Sequence, residues 1–299
     1  MSSPAAHAAS PAALSRTHQS TEGPGSGYSG HRQFLALLAL NLRQLMFSRY
    51  IWVLLVVGGL PVVLAGLYFI RHLFIASGDA PFAEINSFFQ LMFRTLYIHF
   101  IIFFIANIFG FALLRKELDD RTLHYLYLQP VSRLMILFSK FASFLVLTWT
   151  YLSVTFILTY VLLLAPYGAQ AVVSDLFENR RAFSLIQALG VMFVALMAYG
   201  SISMVMGSLF KSGGYGALLL AWETGLPYLP STMKSFTVSN YLQALSPERG
   251  AISRTRIFEL LGTPPAYWEC ALAIAVVLVV FLSLSALIIN LTECRYSDS

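Results

Sequence analysis

Two ionisable side chains, Glu223 and His99, stand inside long apolar runs. A dense polar cluster, Arg115, Lys116, Glu117, Asp119, Asp120 and Arg121, separates the run that holds His99 from the next one. A carboxylate and an imidazole at one depth can exchange protons, so an intramembrane enzyme is one reading of the pair. That chemistry needs acid, base and nucleophile clustered on facing elements, and one Glu with one His fits it poorly. A charge at mid-span costs roughly 2.5–3.5 kcal/mol on insertion scales, so Glu223 must face protein or water. It reads as a gating or substrate-path residue, or as an acceptor for a neighbouring helix near the break that Gly225 and Pro227 permit. A lone histidine in a span is more often a helix–helix hydrogen-bond partner than a relay or ligand, and the same holds for Asn107. The small residues Gly200, Ser201, Ser203 and Gly207 suit close helix packing. Phosphate chemistry has only a decoy: Gly207 to Ser212 ends in Lys-Ser but lacks the second glycine and the preceding strand of a P-loop. Cys270 and Cys294 offer neither a disulfide framework nor metal spacing. No catalytic residue and no metal site are expected.

The elements that position these residues are membrane spans. The 299 residues are 58% hydrophobic and only 11% charged, where a soluble domain carries about 25% charged residues. The net charge of +5 sits beside apolar runs, where it sets topology, and calls for no nucleic acid. Residues 1–30, rich in Ser, Ala, Gly and Pro, read as a disordered tail with no signal-peptide pattern. Residues 31–49 read as an amphipathic helix in the membrane interface, with Leu35, Leu38, Leu42, Leu45 and Met46 at helical spacing. Spans are expected at about 51–70, 91–114, 134–165, 183–210, 215–229 and 267–291. The fold class is an all-α integral membrane protein of six transmembrane helices. Its six-helix membrane body covers 31–292 and a tail covers 293–299. The link 166–181 is polar and partly helical, and 231–266 is too polar to span.

Between spans 2 and 3 lies RKELDDRTLHYLYLQPVSRLMILFSK, from Arg115 to Lys140. A plain hairpin needs only a few residues. This stretch joins Glu117, Asp119, Asp120 and Arg121 to Tyr125 and Leu126. Charge steers encounter and buried aromatics supply binding energy, so it reads as an elbow that docks a soluble partner. The bland alternative is a solvated loop held out of the membrane by its charges. The elbow is also the densest Lys/Arg cluster, which places it, and with six spans both termini, on the cytoplasmic side.

Glu117-x-Asp119-Asp120-Arg121-Thr122-Leu123-x-Tyr125-Leu126, then Pro130-Val131-Ser132-Arg133 and Lys140-Phe141, resembles the cytoplasmic elbow of the type-2 ABC exporter permeases. Trp222-Glu223-x-x-x-Pro227, followed by Ser235-x-x-Val238-Ser239-x-Tyr241-Leu242, is similar to the end of span 5 and the outer segment of that family. The likeness runs from about His31 to Cys294. It implies a permease subunit of an ATP-driven exporter in a bacterial inner membrane. The chain would pair with a second permease subunit, identical or paralogous, and with two copies of a separate ATPase that binds ATP and Mg. Glu117, Asp119, Asp120, Arg121, Thr122 and Tyr125 would form the coupling surface, and the chain would hold no cofactor. Because the Trp-Glu pair is shared by exporters of unrelated cargo, the resemblance favours a structural role for Glu223. A non-transporting membrane anchor that holds a soluble partner is the alternative function. Lipid, glycan, peptide, drug and ion all stay open as cargo.

Overall fold

The computed structural model describes residues 30–74, 82–119, 132–178, 181–210, 237–247 and 266–297, with Gly216, Leu219 and residues 221–223. All regular structure among the described residues is helical. In chain order come α1 (Gly30–Met46), α2 (Tyr50–Phe74), α3 (Phe82–Met92), a π-helical segment (Phe93–Ile102) and α4 (Phe103–Asp119). Then follow α5 (Arg133–Leu164), a 3₁₀ turn at Ala165–Tyr167, α6 (Ala169–Glu178), α7 (Arg181–Leu209), α8 (Val238–Leu245) and α9 (Tyr267–Ser297). Among the described residues, five segments are long and apolar enough to cross a membrane: Tyr50–His72, Ile85–Leu113, Leu134–Tyr167, Arg181–Leu209 and Tyr267–Ile288. Most of the expected span at 215–229 lies outside the described residues.

The second span differs from its expected start at 91. Its helix begins at Phe82, and Ile85 and Phe89 are already buried on its inner face. From Phe82 the α3, π and α4 segments follow one another without a break to Asp119. At about 1.5 Å per residue that rod is about 55 Å long, more than the roughly 30 Å hydrocarbon core. A π-helix pairs each carbonyl with the N–H five residues on, and such segments concentrate at functional sites.

Ser132 opens α5 as an extended N-cap whose hydroxyl accepts from the Met135 N–H at 3.3 Å. α1 lies along the first turns of α5. Asn41 Nδ2 donates to Ser139 Oγ at 3.1 Å, and Ser143 Oγ lies 3.1 Å from the Leu38 carbonyl. Leu35, Leu40 and Met46 of α1 are exposed.

The core centres on α4 against α7. Ser203 donates to Asn107 Oδ1 at 3.2 Å across the contact, so Asn107 does hold a neighbouring helix. A Cβ on Gly207 would sit 2.9 Å from the Phe111 Cα and 2.8 Å from its carbonyl oxygen. Backbone cannot move aside as a flexible side chain can. Gly207→Ala is therefore expected to destabilise the bundle by about 1–3 kcal/mol. Gly190→Ala has nothing within 4 Å of the added methyl and should be neutral or gain up to about 1 kcal/mol from helix propensity. Thermal unfolding of the two variants in one detergent checks the contrast. Above this contact Phe89, Phe93 and Tyr97 surround Phe156, Tyr160 packs edge-on against Phe89, and the Tyr97 hydroxyl pairs with Thr159 Oγ1 at 3.0 Å.

Candidate functional site

α8 is eight residues long, too short to be stable alone. Its stability must come from what holds it. Four N–H groups at any helix start lack intrahelical partners. Thr237, the extended residue before α8, provides no side-chain cap. Glu223 provides one from elsewhere in the chain. Its Oε1 accepts from the Val238 N–H at 3.1 Å, and its Oε2 accepts from the Ser239 N–H at 3.1 Å. The Tyr199 hydroxyl of α7 donates to Oε2 at 3.2 Å. The carboxylate is buried, and it sits where a helix start favours negative charge.

The other end of α8 is held from spans 2 and 4. Gln187 Nε2 of α7 donates to the Leu245 carbonyl at 3.0 Å. Arg94 Nη2, from the π segment, donates to the Pro247 carbonyl at 3.3 Å. His99 joins the middle of the helix: its Nε2 lies 2.8 Å from Gln243 Nε2, and its Nδ1 lies 2.8 Å from the Arg94 carbonyl. A carbonyl only accepts, so Nδ1 carries the proton and Nε2 accepts from the Gln243 amide. The Arg94 carbonyl is five residues before His99, so the ring reaches the oxygen that a π turn uses. Arg94 lies about 13 Å along its span from Ile85, and Gln187 about 9 Å from Arg181. α8 thus lies within the half of the bundle far from Glu117 and Asp119, where backbone polar groups must be satisfied by protein.

His99 and Glu223, read separately from the sequence, meet at one short helix. Each spends its polar atoms on that helix or its supports, and neither pairs with the other. Arg94, Gln187, Tyr199 and Gln243 were not singled out as site residues. Arg94 and Gln187 did carry a signal, being polar side chains inside apolar runs. Their partners, Pro247 and Leu245, are too distant in sequence to be read from spacing. The His99–Gln243 bond has its own test. A double-mutant cycle with His99→Phe and Gln243→Leu should return a coupling of about 0.6–1.7 kcal/mol, read from thermal unfolding. Additive effects would remove the pair from the assembly.

Of the stretch read as an elbow, only the two flanks fall among the described residues. Glu117 and Asp119 fall at the end of α4, where the backbone is described. Asp120, Arg121, Thr122 and Tyr125 lie outside the described residues. The near flank grows out of the α4–α7 core. The far flank begins at the Ser132 cap and is braced by α1 through Asn41 and Ser139. Among the described residues, no group of three His, Cys, Asp or Glu side chains is placed to hold a metal ion.

Residues 35–288 match the family described as ABC-2 family transporter protein. Among curated proteins, none matches the chain.

Proposed function

The chain belongs to the ABC-2 family of transporter proteins, as a multi-pass membrane permease subunit of an ABC transporter, and from that premise we propose an exporter driven through its elbow by a separate ATPase. One observation carries the mechanism. The rod that ends at Glu117 and Asp119 also bears Arg94 and His99, which hold the outer helix. ATP, with Mg, binds and is split on two copies of the partner ATPase. Their closure moves the elbow, and the continuous rod carries that displacement to the π segment. There, i to i+5 pairing can give way to the more stable α pattern, which shifts His99 and Arg94 against α8. Glu223 and Tyr199 hold the opposite end of α8, so the helix tilts rather than translates and opens the outer side.

This reading assigns the remaining segments. Residues 215–229 form a sixth, short crossing with Glu223 near its middle. α1 lies in the cytoplasmic interface, its Leu35, Leu40 and Met46 flank in lipid. Residues 1–30 and 293–299 are cytoplasmic tails around a permease domain at 31–292, in a bacterial inner membrane. A second permease subunit, a copy or a paralogue, completes the pathway. The first and last spans are only 22% and 11% buried, so their apolar faces serve lipid and that partner.

The test is joint expression of the chain with its ATPase. The two should co-purify, and ATP turnover in vesicles should drive vanadate-sensitive movement of an amphiphile or ion across the bilayer. Stable co-purification with ATP turnover but no ATP-dependent movement would support the static anchor instead.

A further inference from the structure

The turns of α1 sort its residues into two rows. Phe34, Leu38, Asn41 and Leu45 recur at i, i+4, i+7 and i+11, which keeps them on one face of a helix. That face meets α5: Asn41 is buried and bonded to Ser139, and the Leu38 carbonyl lies 3.1 Å from Ser143 Oγ. Arg32, Ala36, Ala39 and Arg43 repeat the spacing two residues earlier. At 3.6 residues per turn, a shift of two residues turns them to the opposite face, and all four are exposed. The two arginines stand about 16 Å apart along the helix axis, with only alanine methyl groups between them. Leu35 and Met46 form an exposed shoulder on one side of this row. Leu40 forms the other, and Phe47 is exposed just past the helix end.

The charge of this face is of one sign. No Asp or Glu occurs between Glu22 and Asp79. The guanidinium groups of Arg32, Arg43 and the following Arg49 have no ion pair among the described residues. A guanidinium fork pairs well with phosphate, and a cationic helix face with apolar shoulders suits anionic headgroups above acyl chains. An acidic protein segment would use the charges and leave the shoulders in water. We propose that the exposed face of α1 binds anionic phospholipid, with the Arg32–Arg43 row taking the headgroups. The inference names the partner of α1 and rests on its placement in the membrane interface, not on ATP coupling.

The experiment uses the full chain, without ATPase, in phosphatidylcholine nanodiscs. Cys270 and Cys294 are replaced, and a bimane fluorophore is attached at Leu40→Cys on the shoulder. Phosphatidylglycerol or phosphatidylcholine carrying a nitroxide high on the acyl chain is then titrated in as quencher. Each arginine at an anionic surface is worth about a fivefold enrichment. Phosphatidylglycerol should therefore be enriched at the label at least about tenfold over phosphatidylcholine, and about 0.5 M salt should remove most of that preference. Arg32→Gln with Arg43→Gln should lower it about tenfold and leave quenching by phosphatidylcholine unchanged, since both side chains are exposed. A label at Leu272→Cys, on the exposed side of α9, should show no such preference. An equal preference there would assign the effect to the net charge of the chain and overturn the proposal. Equal quenching by the two lipids at Leu40→Cys, or an enrichment undiminished in the double variant, would overturn it with α1 still in the interface. Quenching by neither lipid would take α1 out of the interface as well. All of these outcomes leave the ATPase test above untouched, so the two readings fail separately.

Discussion

Reversing charge at the elbow, with Glu117→Lys and Asp120→Lys together, is expected to cut ATP-driven transport by at least about 100-fold while the membrane body stays folded. Close charge pairs across protein interfaces are worth about 1.5–7 kcal/mol by coupling measurements. The loss of two pairs at the low end, about 3 kcal/mol, corresponds to roughly a 100-fold weaker dock. Reversal also turns attraction into repulsion, which slows encounter and is relieved by salt. The centre of the α4–α7 contact lies back along the helix at Asn107 and Gly110. Melting temperature should therefore stay near wild type while permease-dependent ATP turnover and transport collapse. Tyr125→Ala should act through lost burial instead, with little dependence on salt. A folded reversal variant that recruits its ATPase and transports at the original rate would remove the elbow from the mechanism.

The second large effect is expected at Glu223. Three donors converge on its carboxylate. A glutamine offers one oxygen and turns an NH₂ toward the remaining donors. Hydrogen bonds to a charged group contribute about 1.5–3 kcal/mol each, and a buried donor left unpaired costs about 1–3 kcal/mol. Glu223→Gln should therefore loosen the start of α8 by about 2–4 kcal/mol. Hydrogen exchange reads this directly, because the Val238 and Ser239 amides are the groups released. Their exchange should accelerate by at least about 30-fold, the equivalent of about 2 kcal/mol. Tyr199→Phe deletes a single donor and leaves both amides bonded, so it should cost about 1 kcal/mol. This pattern separates the two readings of Glu223. A variant with wild-type amide protection but no transport would make the carboxylate a pathway residue, and one with fast exchange and proportionate loss would make it a cap.

The sequence displayed its lipid-facing parts best. The first and last spans, with mean hydropathy 2.5 and 3.0, stand within a few residues of their expected bounds because most of their surface is exposed on the bundle and they are apolar throughout. The second span was read too short for the opposite reason. Asn86 and Gln90 lower its hydropathy at the end far from Asp119, yet both line a cleft between spans 2, 3 and 4. Nothing in the residues from Phe93 to Ile102 announces π pairing, which depends on contacts with α7 and α8. His99 was legible in kind, as a hydrogen-bonding side chain among helices, while its partner, 144 residues away, was not. The Glu223 cap shows the same limit. A buried carboxylate demands donors, but only the folded chain says that two of them are the first amides of a short helix.

Everything turns on whether closure of the partner ATPase, acting on the elbow, is felt at the helix α8. The direct measurement is the distance between spin labels at Asn240 on α8 and Phe183 at the outer end of α7, with Cys270 and Cys294 replaced. In the assembled transporter, trapping with ATP and vanadate should bring up a second distance population that is absent without nucleotide. The elbow reversal variant should keep the nucleotide-free distance alone. A single, unmoved distance in the wild-type complex, trapped with its ATPase shown to be active, would contradict the account.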